Sequence, residues 1–526
     1  MTGAASGIEV RQVGPPRLTL GLESAARLDW AAHRRLHPDP RPLSADRLIA
    51  LAEAGRLHGR GGAAFPFARK VRAVVDSAVR RRRRTVVVVN GTEGEPGSAK
   101  DKVLLCRAPH LVLDGAALAA TALGAREIII GITDADAARS MREAIGERRL
   151  AGRARVVRLA ERFITGEGGA LVRGINGRRP VPPGRKVRAA TRGVDGLPTL
   201  LSNAETYAQL AVLAGLGPER YARVGLPDEP GTVLLTVTGS ARFPAVVETP
   251  SGAPLAHLLD LCGSRAGEGV LVGGYHGAWL DGATATATQV SRAALKEAGG
   301  ALGAGIVMPL GRGTCPLGEC ARVVAYLAAE SAGQCGPCRL GLPDVAGSFA
   351  ALAAGRDAAG AREAIVRATR MAVGRGACGH PDGTARFVLS ALEVFAADVA
   401  AHTARGGCGR PVLGVLPAET DARLRLEVDW SRCDGHGLCA DVLRGAVRMD
   451  EYNYPVIPDE PIPARLEAAA RRAVAMCPGL ALRLVPRTAH EPAAQAADRP
   501  GERSPGLGGD AGRRGRPPGA AGQPAR

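Results

Sequence analysis

An acidic loop at residues 90–101 directly follows a run of four valines at residues 86–89. An uninterrupted apolar run of this kind is typical of a strand that is buried on both faces of a parallel sheet. Open parallel sheets bind ligands beyond the carboxyl ends of their strands. We therefore predict that the acidic loop lies at a ligand-binding edge of the sheet.

A second loop, at residues 59–62, has the sequence Gly-Arg-Gly-Gly. Glycines keep side chains out of the way of a ligand, so the backbone N–H groups can approach an anion closely. Lys70 adds a positive charge a little further along the chain. A glycine loop alone is a weak signal, because most such loops are only turns. Its pairing with the acidic loop favours a binding site for an anionic ligand.

Strand and helix patterns alternate after residue 86. Apolar runs predict strands at 86–89, 127–133 and 155–159, and helical spacing predicts helices at 109–123 and 135–148. This order is a βαβαβ unit, which implies a parallel sheet with right-handed crossovers.

Beyond this unit, Ser202 and Glu205 have the spacing of a capping box and predict the start of a further helix. Residues 232–290 contain an alternating strand pattern and recurrent glycine turns, which indicate a small β-rich domain. From residue 320 to 402 the pattern is helical in about four segments, which predicts a bundle.

The C-terminal part of the chain has three compositional zones. A proline- and glycine-rich joint near residues 405–418 leads to a compact module at 424–487. Residues 488–526 are rich in Pro, Gly, Ala and Arg and are predicted to be disordered.

The net charge of +18 raises the possibility of nucleic-acid binding. The charge is mostly arginine spread along the chain, and no recognition helix accompanies it, so we predict no nucleic-acid partner. The sequence has no signal-peptide pattern and no run of 18 apolar residues, which predicts a cytoplasmic protein that does not span a membrane. In a reducing compartment, 11 cysteines favour metal binding or redox work over disulfides.

The predicted bundle contains Cys335-Gly-Pro-Cys338 and, later, Cys378 and His380. Three interpretations are open. Cys-Gly-Pro-Cys is a thioredoxin-type tetrapeptide, but here a helical pattern precedes it instead of a strand. The four residues could also bind zinc, or the cysteines could bind an iron–sulfur cluster.

The C-terminal module has a clearer cysteine pattern. Cys433 and Cys439 flank a glycine-containing loop with His436 at its centre, and Cys477 precedes a proline. Thiolates around a tight loop can bind one face of a cuboidal cluster, and a distant Cys-Pro completes the site. The segment resembles small bacterial ferredoxins that bind a single cluster through three cysteines, usually 3Fe-4S.

The glycine and acidic loops, together with residues 163–171 and 198–206, resemble the NADH-binding flavoprotein subunit of respiratory complex I and related diaphorases. The resemblance implies FMN and NADH binding, with Phe65, Glu95 and Glu167 positioning the reactants. The residues that it implies for cofactor binding are Gly59, Arg60, Gly61, Gly62, Lys70, Asn90, Glu93, Gly166 and Asn203. The cysteines that it and the ferredoxin resemblance imply as metal ligands are Cys335, Cys338, Cys378, Cys433, Cys439 and Cys477.

The resemblance also implies a multidomain fold: a parallel-sheet α/β flavin domain, a β-grasp domain, an iron–sulfur helical bundle and an α+β ferredoxin. The predicted divisions are a lead-in at 1–44 with little structure besides a short helix, the FMN/NADH domain at 45–220, the β-grasp domain at 231–300, the bundle at 301–404, the ferredoxin at 424–487 and the tail at 488–526.

Four positions depart from the family pattern. Thr92 stands where an acid is usual, Gly168 where a second glutamate is usual, and Ser202 where an asparagine is usual. Arg188 stands where the family has a phenylalanine that stacks on the dinucleotide. These departures weaken the expectation for NADH more than that for FMN.

In the bundle motif, Ala332 occupies the position of the first cysteine of the family's 4Fe-4S signature. His380 or a non-protein ligand could supply the fourth position, the cluster could be a 3Fe-4S cluster, or the site could be empty. Cys320 lies 12 residues before the motif, about 18 Å away on a continuous helix, and is not expected to replace the missing ligand.

Together these features predict a flavo-iron–sulfur oxidoreductase. Electrons from NADH would pass by way of FMN and the bundle cluster to the fused ferredoxin, and then to an unidentified redox partner protein that could be membrane-bound. The alternative is a non-catalytic relay, in which the nucleotide site is degenerate and the ferredoxin cluster is the main redox centre.

Overall fold

The computed structural model describes residues 8–184, 187–418, 424–443, 446–457, 462 and 464–486. Within these residues the strands are β1 (Glu9–Gln12), β2 (Val86–Gly91), β3 (Ile128–Ile132), β4 (Ala154–Arg158), β5 (Thr199–Asn203), β6 (Gly225–Leu226), β7 (Glu229–Pro230), β8 (Thr232–Val237), β9 (Ala245–Pro250), β10 (Gly269–Val272), β11 (Ala278–Leu280), β12 (Ile306–Leu310), β13 (Leu424–Val428), β14 (Arg448–Met449), β15 (Pro455–Val456) and β16 (Leu482–Pro486).

The α-helices of the same residues are α1 (Trp30–Leu36), α2 (Ala45–Ala54), α3 (Phe67–Arg81), α4 (Lys100–Arg107), α5 (Pro109–Ala122), α6 (Ala135–Glu147), α7 (Gly168–Ile175), α8 (Ala189–Arg192), α9 (Ala204–Leu216), α10 (Pro218–Tyr221), α11 (Leu255–Leu261), α12 (Gly282–Ala287), α13 (Arg292–Glu297), α14 (Pro316–Ala329), α15 (Leu342–Ala353), α16 (Ala358–Ala372), α17 (His380–Val394), α18 (Ala396–Arg405), α19 (Leu438–Val442) and α20 (Ala464–Met476).

The first large unit is a four-stranded sheet in the order β4-β3-β2-β5, with every neighbouring pair parallel. Its valine strand is buried on both faces, because Val87 and Val89 join the core that contains α5 and α9 while Val86 and Val88 pack with Leu171 of α7. The predicted parallel-sheet α/β fold is confirmed.

Strand β5 was not predicted, and it changes how α9 begins. Ser202 is the fourth residue of β5, so it cannot cap the helix. The cap is Asn203, whose side-chain oxygen accepts a hydrogen bond from the backbone N–H of Glu205 at 3.0 Å. The predicted helix is present, and the predicted capping residue is wrong.

A second sheet has the order β1-β9-β8-β12-β10-β11. It extends beyond the predicted division at residue 300, because β12 is wholly apolar and buried and pairs with both β8 and β10. The sheet also includes β1, which pairs in parallel with β9. The lead-in is therefore more ordered than predicted, and Leu18 and Leu22 from it are buried in the main core.

Helices α14 to α18 form the bundle, and one apolar core joins them to Leu271, Tyr275 and Trp279 of the second sheet. The predicted joint is fastened to this bundle. Its residue Leu416 is fully buried, and the backbone N–H of Gly414 donates to Glu319 Oε1 of α14 at 2.7 Å.

The C-terminal module pairs β13 with β16 in antiparallel register and packs α19 and α20 in a small separate core. The tail predicted at 488–526 lies outside the described residues. Among the residues that the structure describes, no single helix is long and apolar enough to cross a membrane; two bent helix pairs, Lys100–Arg107 with Pro109–Ala122 and His380–Val394 with Ala396–Arg405, pass on length and composition alone.

Candidate functional site

The glycine loop lies against the carboxyl end of β5. A Cβ atom on Gly61 would lie 3.1 Å from the Cβ of Asn203, so glycine allows this close approach. Gly62 has a φ of 102°, a backbone conformation that favours glycine. Gly59 donates its N–H to the carbonyl of Phe65 at 2.9 Å and closes the loop, while the Phe65 side chain is about half exposed.

Lys70 lies half-buried behind this loop, and its Nζ donates to the carbonyl of Leu201 at 2.9 Å. Burial lowers the pKa of Lys70 below its ordinary value. In the described part of the chain no carboxylate pairs with this ammonium group. An ammonium with two further N–H bonds and no counter-ion suits an anionic ligand such as the FMN phosphate.

Arg60 differs from this pattern, because its guanidinium points into the protein. Its Nε lies 3.9 Å from the buried Glu205 carboxylate, and its terminal nitrogen is 3.4 Å from the carbonyl of Thr232. Only its backbone remains with the loop, where the N–H donates to Thr206 Oγ1 at 2.9 Å. The side chain therefore ties the glycine loop to the second sheet.

The acidic loop begins at Asn90, at the end of β2. Its side-chain nitrogen donates to the carbonyl of Gly166 at 3.0 Å, and its oxygen accepts the N–H and hydroxyl of Thr92 at 3.1 and 2.5 Å. Asn90 thus joins the acidic loop to residues 163–171. Thr92, which replaces an acid in the family pattern, is held within this local network.

Glu93 is buried and directed at the first turn of α4. Its carboxylate accepts the backbone N–H groups of Asp101 at 3.1 Å and Lys102 at 2.8 Å, as well as the hydroxyl of Ser98. Burial, followed by the nearby Asp101 carboxylate, raises the pKa of Glu93. These contacts stabilise the loop itself, since negative charge is favoured at a helix N-terminus.

A charge network connects the acidic loop to α9. Lys100 Nζ lies 3.0 Å from both Asp101 Oδ1 and Glu205 Oε2, and all three side chains are buried. Burial lowers the pKa of Lys100, but the surrounding carboxylates outweigh that effect and raise it overall. Asn203 donates to Asp101 Oδ2 at 2.6 Å, so the helix cap belongs to the same network.

Glu95 reaches the second sheet, where its carboxylate accepts the backbone N–H of Tyr275. The turn before Tyr275 contains Gly274, and a Cβ atom there would collide with this carboxylate. Burial raises the pKa of Glu95 to about 8, and the hydrogen bond from Tyr275 only partly offsets it. Glu95 therefore joins the flavin sheet to the second sheet through one buried contact.

Residues 163–171 lie between the flavin loops and the bundle. The N–H of Phe163 donates to Glu330 Oε2 at 3.1 Å, directly before the cysteine motif. Glu167 caps α7 by accepting the N–H of Ala170 at 2.8 Å. Gly168 faces open space, because a Cβ atom there would meet nothing within 4 Å.

The bundle cysteines are brought together by the turn that precedes α15 and the loop before α17. Burial raises the pKa of Cys335, but the backbone N–H groups of Ala377 and Cys338 outweigh it and lower the pKa overall. Burial, then the adjacent Cys335, raises the pKa of Cys338 to about 12. Burial raises the pKa of Cys378, and the Glu167 carboxylate adds to that shift. Three thiols that act on one another, with N–H groups directed at sulfur, suit an iron–sulfur cluster.

His380 does not face these thiols as a ligand. Its Nδ1 lies 2.9 Å from His276 Nε2, and its Nε2 lies 2.8 Å from the carbonyl of Leu327. Both ring nitrogens are engaged, so the proposed use of His380 as a fourth ligand is wrong. The ring instead packs with Phe163 and His276, at centroid distances of 5.5 and 5.0 Å.

In the C-terminal module, a pocket of about 370 Å³ is lined by Cys433, His436, Cys439 and Cys477. Gly435 and Gly437 on its loop have φ values of 69° and 76° and turn the chain around the cavity. The N–H of Ala481 donates to Cys477 Sγ at 3.4 Å. Burial raises the pKa of Cys439, and the two other thiols add to the shift. A cavity with three converging thiols suits a cluster.

Comparisons with known protein families agree with this arrangement. Residues 52–212 match the Nuo51 FMN-binding domain, and residues 318–402 match the NADH-ubiquinone oxidoreductase-F iron-sulfur binding region. Residues 426–484 match a 4Fe-4S single cluster domain. The FMN-binding and iron–sulfur regions implied by the resemblance are therefore present, and the second match favours a cluster over the thioredoxin and zinc interpretations of the bundle motif.

Curated relatives have the same character. One NADH-quinone oxidoreductase subunit of Rhizobium meliloti is 28% identical over 385 residues, which cover 69% of this chain and 90% of that protein. The HoxS alpha subunit of the NAD-reducing hydrogenase of Cupriavidus necator is 32% identical over 251 residues, 45% of this chain and 41% of that protein. A solved NAD+-reducing NiFe hydrogenase in the H2-reduced state superposes with a TM-score of 0.66 at 26% identity, covering 75% of this chain and 68% of that one.

A parallel-sheet flavin domain whose loops adjoin a cysteine-bearing bundle defines a flavo-iron–sulfur oxidoreductase. The chain belongs to the family of NADH dehydrogenase flavoprotein subunits, with a ferredoxin-type region added after the bundle.

Proposed function

We propose that this protein takes electrons from NADH and passes them through its FMN-binding domain, bundle cluster and fused ferredoxin to a separate redox partner protein in the cytoplasm. Bound FMN supplies the chemistry that accepts a hydride as an electron pair and releases the electrons one at a time. The chain's own residues bind, orient and separate the redox groups.

The main support is the contact between residues 163–171 and the bundle motif. Phe163 bonds to Glu330 at 3.1 Å, and Gln334 of the motif donates to the carbonyl of Pro182 at 2.9 Å. Residues 163–171 are also bonded to Asn90 of the acidic loop through Gly166. One rigid segment therefore contacts both the flavin loops and the cluster loop, as an electron path between them requires.

We propose specific roles for the residues of the flavin site. Lys70 meets the anionic part of FMN, because it is the half-buried cation without a carboxylate partner. The backbone of residues 59–62, with Asn90 and Asn203, holds the flavin at the carboxyl ends of β2 and β5. Phe65 and Glu167 orient the nicotinamide from the open side, and Glu95 keeps the second sheet closed against water.

NADH binding is proposed to be weaker than FMN binding. Arg188 is exposed and lacks the flat apolar face of the family's phenylalanine. Gly168 leaves open space where the family has a carboxylate. Each lost contact weakens binding by about 1–3 kcal/mol.

The cluster types are also part of the proposal. Cys335, Cys338 and Cys378 bind the bundle cluster, as 4Fe-4S with a non-protein fourth ligand or as 3Fe-4S. Cys433, Cys439 and Cys477 bind a 3Fe-4S cluster, because His436 is a poor iron ligand compared with a thiolate.

Anaerobic rapid mixing of the purified protein with NADH tests this function. We expect the flavin absorbance to bleach first and the iron–sulfur absorbance to follow. Cys439→Ser should keep the flavin phase and lose the ferredoxin part of the slower phase, whereas the matched control Cys106→Ser should keep both. A protein with clusters but no flavin bands, or flavin that NADH does not reduce at any concentration, would contradict the proposal and favour the non-catalytic relay.

A further inference from the structure

Three potential metal ligands outside the sites above meet at one end of the bundle. Cys315 caps α14, His402 lies in the last turn of α18, and Cys408 follows that helix. Cys315 and His402 are buried and Cys408 is half-buried. They are far apart in sequence, so the fold alone brings them together.

The distances between the ligand atoms fit a single metal ion. The two sulfurs and one ring nitrogen all lie within 4.8 Å of one another, and Cys315 Sγ is 3.4 Å from His402 Nε2. Around a tetrahedral zinc ion with Zn–S of about 2.3 Å and Zn–N of about 2.0 Å, sulfur and nitrogen would stand about 3.5 Å apart and two sulfurs about 3.8 Å. The donors are therefore close to a coordinating arrangement before any ion is bound.

The same closeness argues against a third iron–sulfur cluster. In a cuboidal cluster each cysteine binds its own iron, so the ligating sulfurs are held farther apart than donors that share one ion. Thiolates together with an imidazole are the ligands that zinc prefers among common cellular divalent ions.

The surroundings of the three side chains also suit a cation. Burial raises the pKa of Cys408, but the backbone and guanidinium of Arg410 outweigh it and lower the pKa overall. Arg410 is itself paired with Asp398 and with Glu268, at 3.2 Å for the latter, so its charge is balanced. The N–H of Gly318 donates to Cys315 Sγ at 3.3 Å, which helps to stabilise a thiolate there.

We propose that Cys315, His402 and Cys408 bind one zinc ion through two sulfurs and one nitrogen, with water at the fourth position. Binding releases the two thiol protons to solvent, and no electron is transferred. The ion is structural and lies apart from the electron path, so this inference does not depend on the proposed function.

The zinc would fasten the segment that leads to the ferredoxin region. That segment already lies along the start of α14, where Cys315 donates its N–H to the carbonyl of Pro411 at 2.7 Å. Leu413 donates its N–H to Thr314 Oγ1 at 3.1 Å. An ion shared by Cys315 and Cys408 would hold the beginning of the segment as these bonds hold its middle.

Metal analysis and zinc-edge X-ray absorption of the full-length protein, purified with its clusters, test the proposal. We expect about one zinc per chain, with two sulfur ligands near 2.3 Å and lighter nitrogen or oxygen ligands near 2.0 Å. Cys408→Ser and His402→Gln should each lose the zinc and speed hydrogen exchange in residues 406–418, with iron content unchanged. Cys106→Ser, which removes another half-buried thiol, should keep it.

Two results would overturn the site. Zinc that remains in folded Cys408→Ser, or that has three sulfur ligands, would instead occupy cysteines of an emptied cluster site. Protein that stays free of zinc after incubation with zinc chloride, with Cys315 and Cys408 recovered as a disulfide or as free thiols, would show that the cluster of donors binds no ion.

Discussion

The buried contact between Glu95 and Tyr275 leads to a prediction about pH. Glu95→Gln keeps the length of the side chain and an oxygen that can accept the Tyr275 N–H, but removes the titratable group. In the native protein, burial raises the pKa of Glu95 from its ordinary 4.5 to about 8. When the contact opens, the carboxyl group enters water and its pKa returns to the ordinary value.

The size and direction of the effect follow from these two values. Between pH 4.5 and pH 8 the closed state holds a proton that the open state has lost, so the free energy of opening falls as the pH rises. The slope is about 1.4 kcal/mol per pH unit and the full window amounts to about 5 kcal/mol. Stability is greatest below pH 4.5 and levels off above pH 8. The glutamine variant has no such slope.

Hydrogen exchange measured by mass spectrometry on peptides that contain Tyr275 can detect this difference. These peptides have the same sequence in both proteins, so the intrinsic exchange rates cancel in the ratio. We expect the wild-type opening constant to rise by about tenfold per pH unit relative to Glu95→Gln between pH 5 and pH 8. Glu53→Gln, which changes an exposed carboxylate, serves as the control. A constant ratio between wild type and Glu95→Gln across this range would refute the reasoning.

Three further predictions concern the cofactors. Ala332→Cys should raise the iron content or oxygen resistance of the bundle cluster, measured by iron analysis and air exposure, because the preceding spacing already suits a thiolate; unchanged iron would mean that another ligand completes the site. Arg188→Phe should lower the apparent NADH constant for flavin reduction by about tenfold with FMN content unaffected, and equally tight reduction by both proteins would contradict it. His436→Cys should turn the air-oxidised ferredoxin cluster from a paramagnetic three-iron form into a diamagnetic four-iron form, measured by electron paramagnetic resonance; a diamagnetic four-iron cluster in the unmodified protein would disprove the 3Fe-4S assignment.

The sequence determined the features that depend on neighbouring residues. The valine run at 86–89 and the helical spacing around it specify a buried strand and its crossovers, because burial and periodicity are local properties of the chain. The flavin and cluster regions were recognisable for the same reason, since a glycine loop or a cysteine spacing keeps its chemistry wherever it is placed. The iron–sulfur interpretation of the bundle was one of three on the residues alone, and the family match favours it.

The tertiary structure decided which distant residues meet. Arg60 was predicted to serve the cofactor, yet its guanidinium is directed to Glu205. His380 was a possible iron ligand, yet His276 and a backbone carbonyl engage both of its nitrogens. Cys315 and Cys408 had no recognisable pattern in the chain. In each case the partner comes from another element, and no local pattern encodes the packing that brings two elements together, because that packing depends on the burial of both surfaces at once.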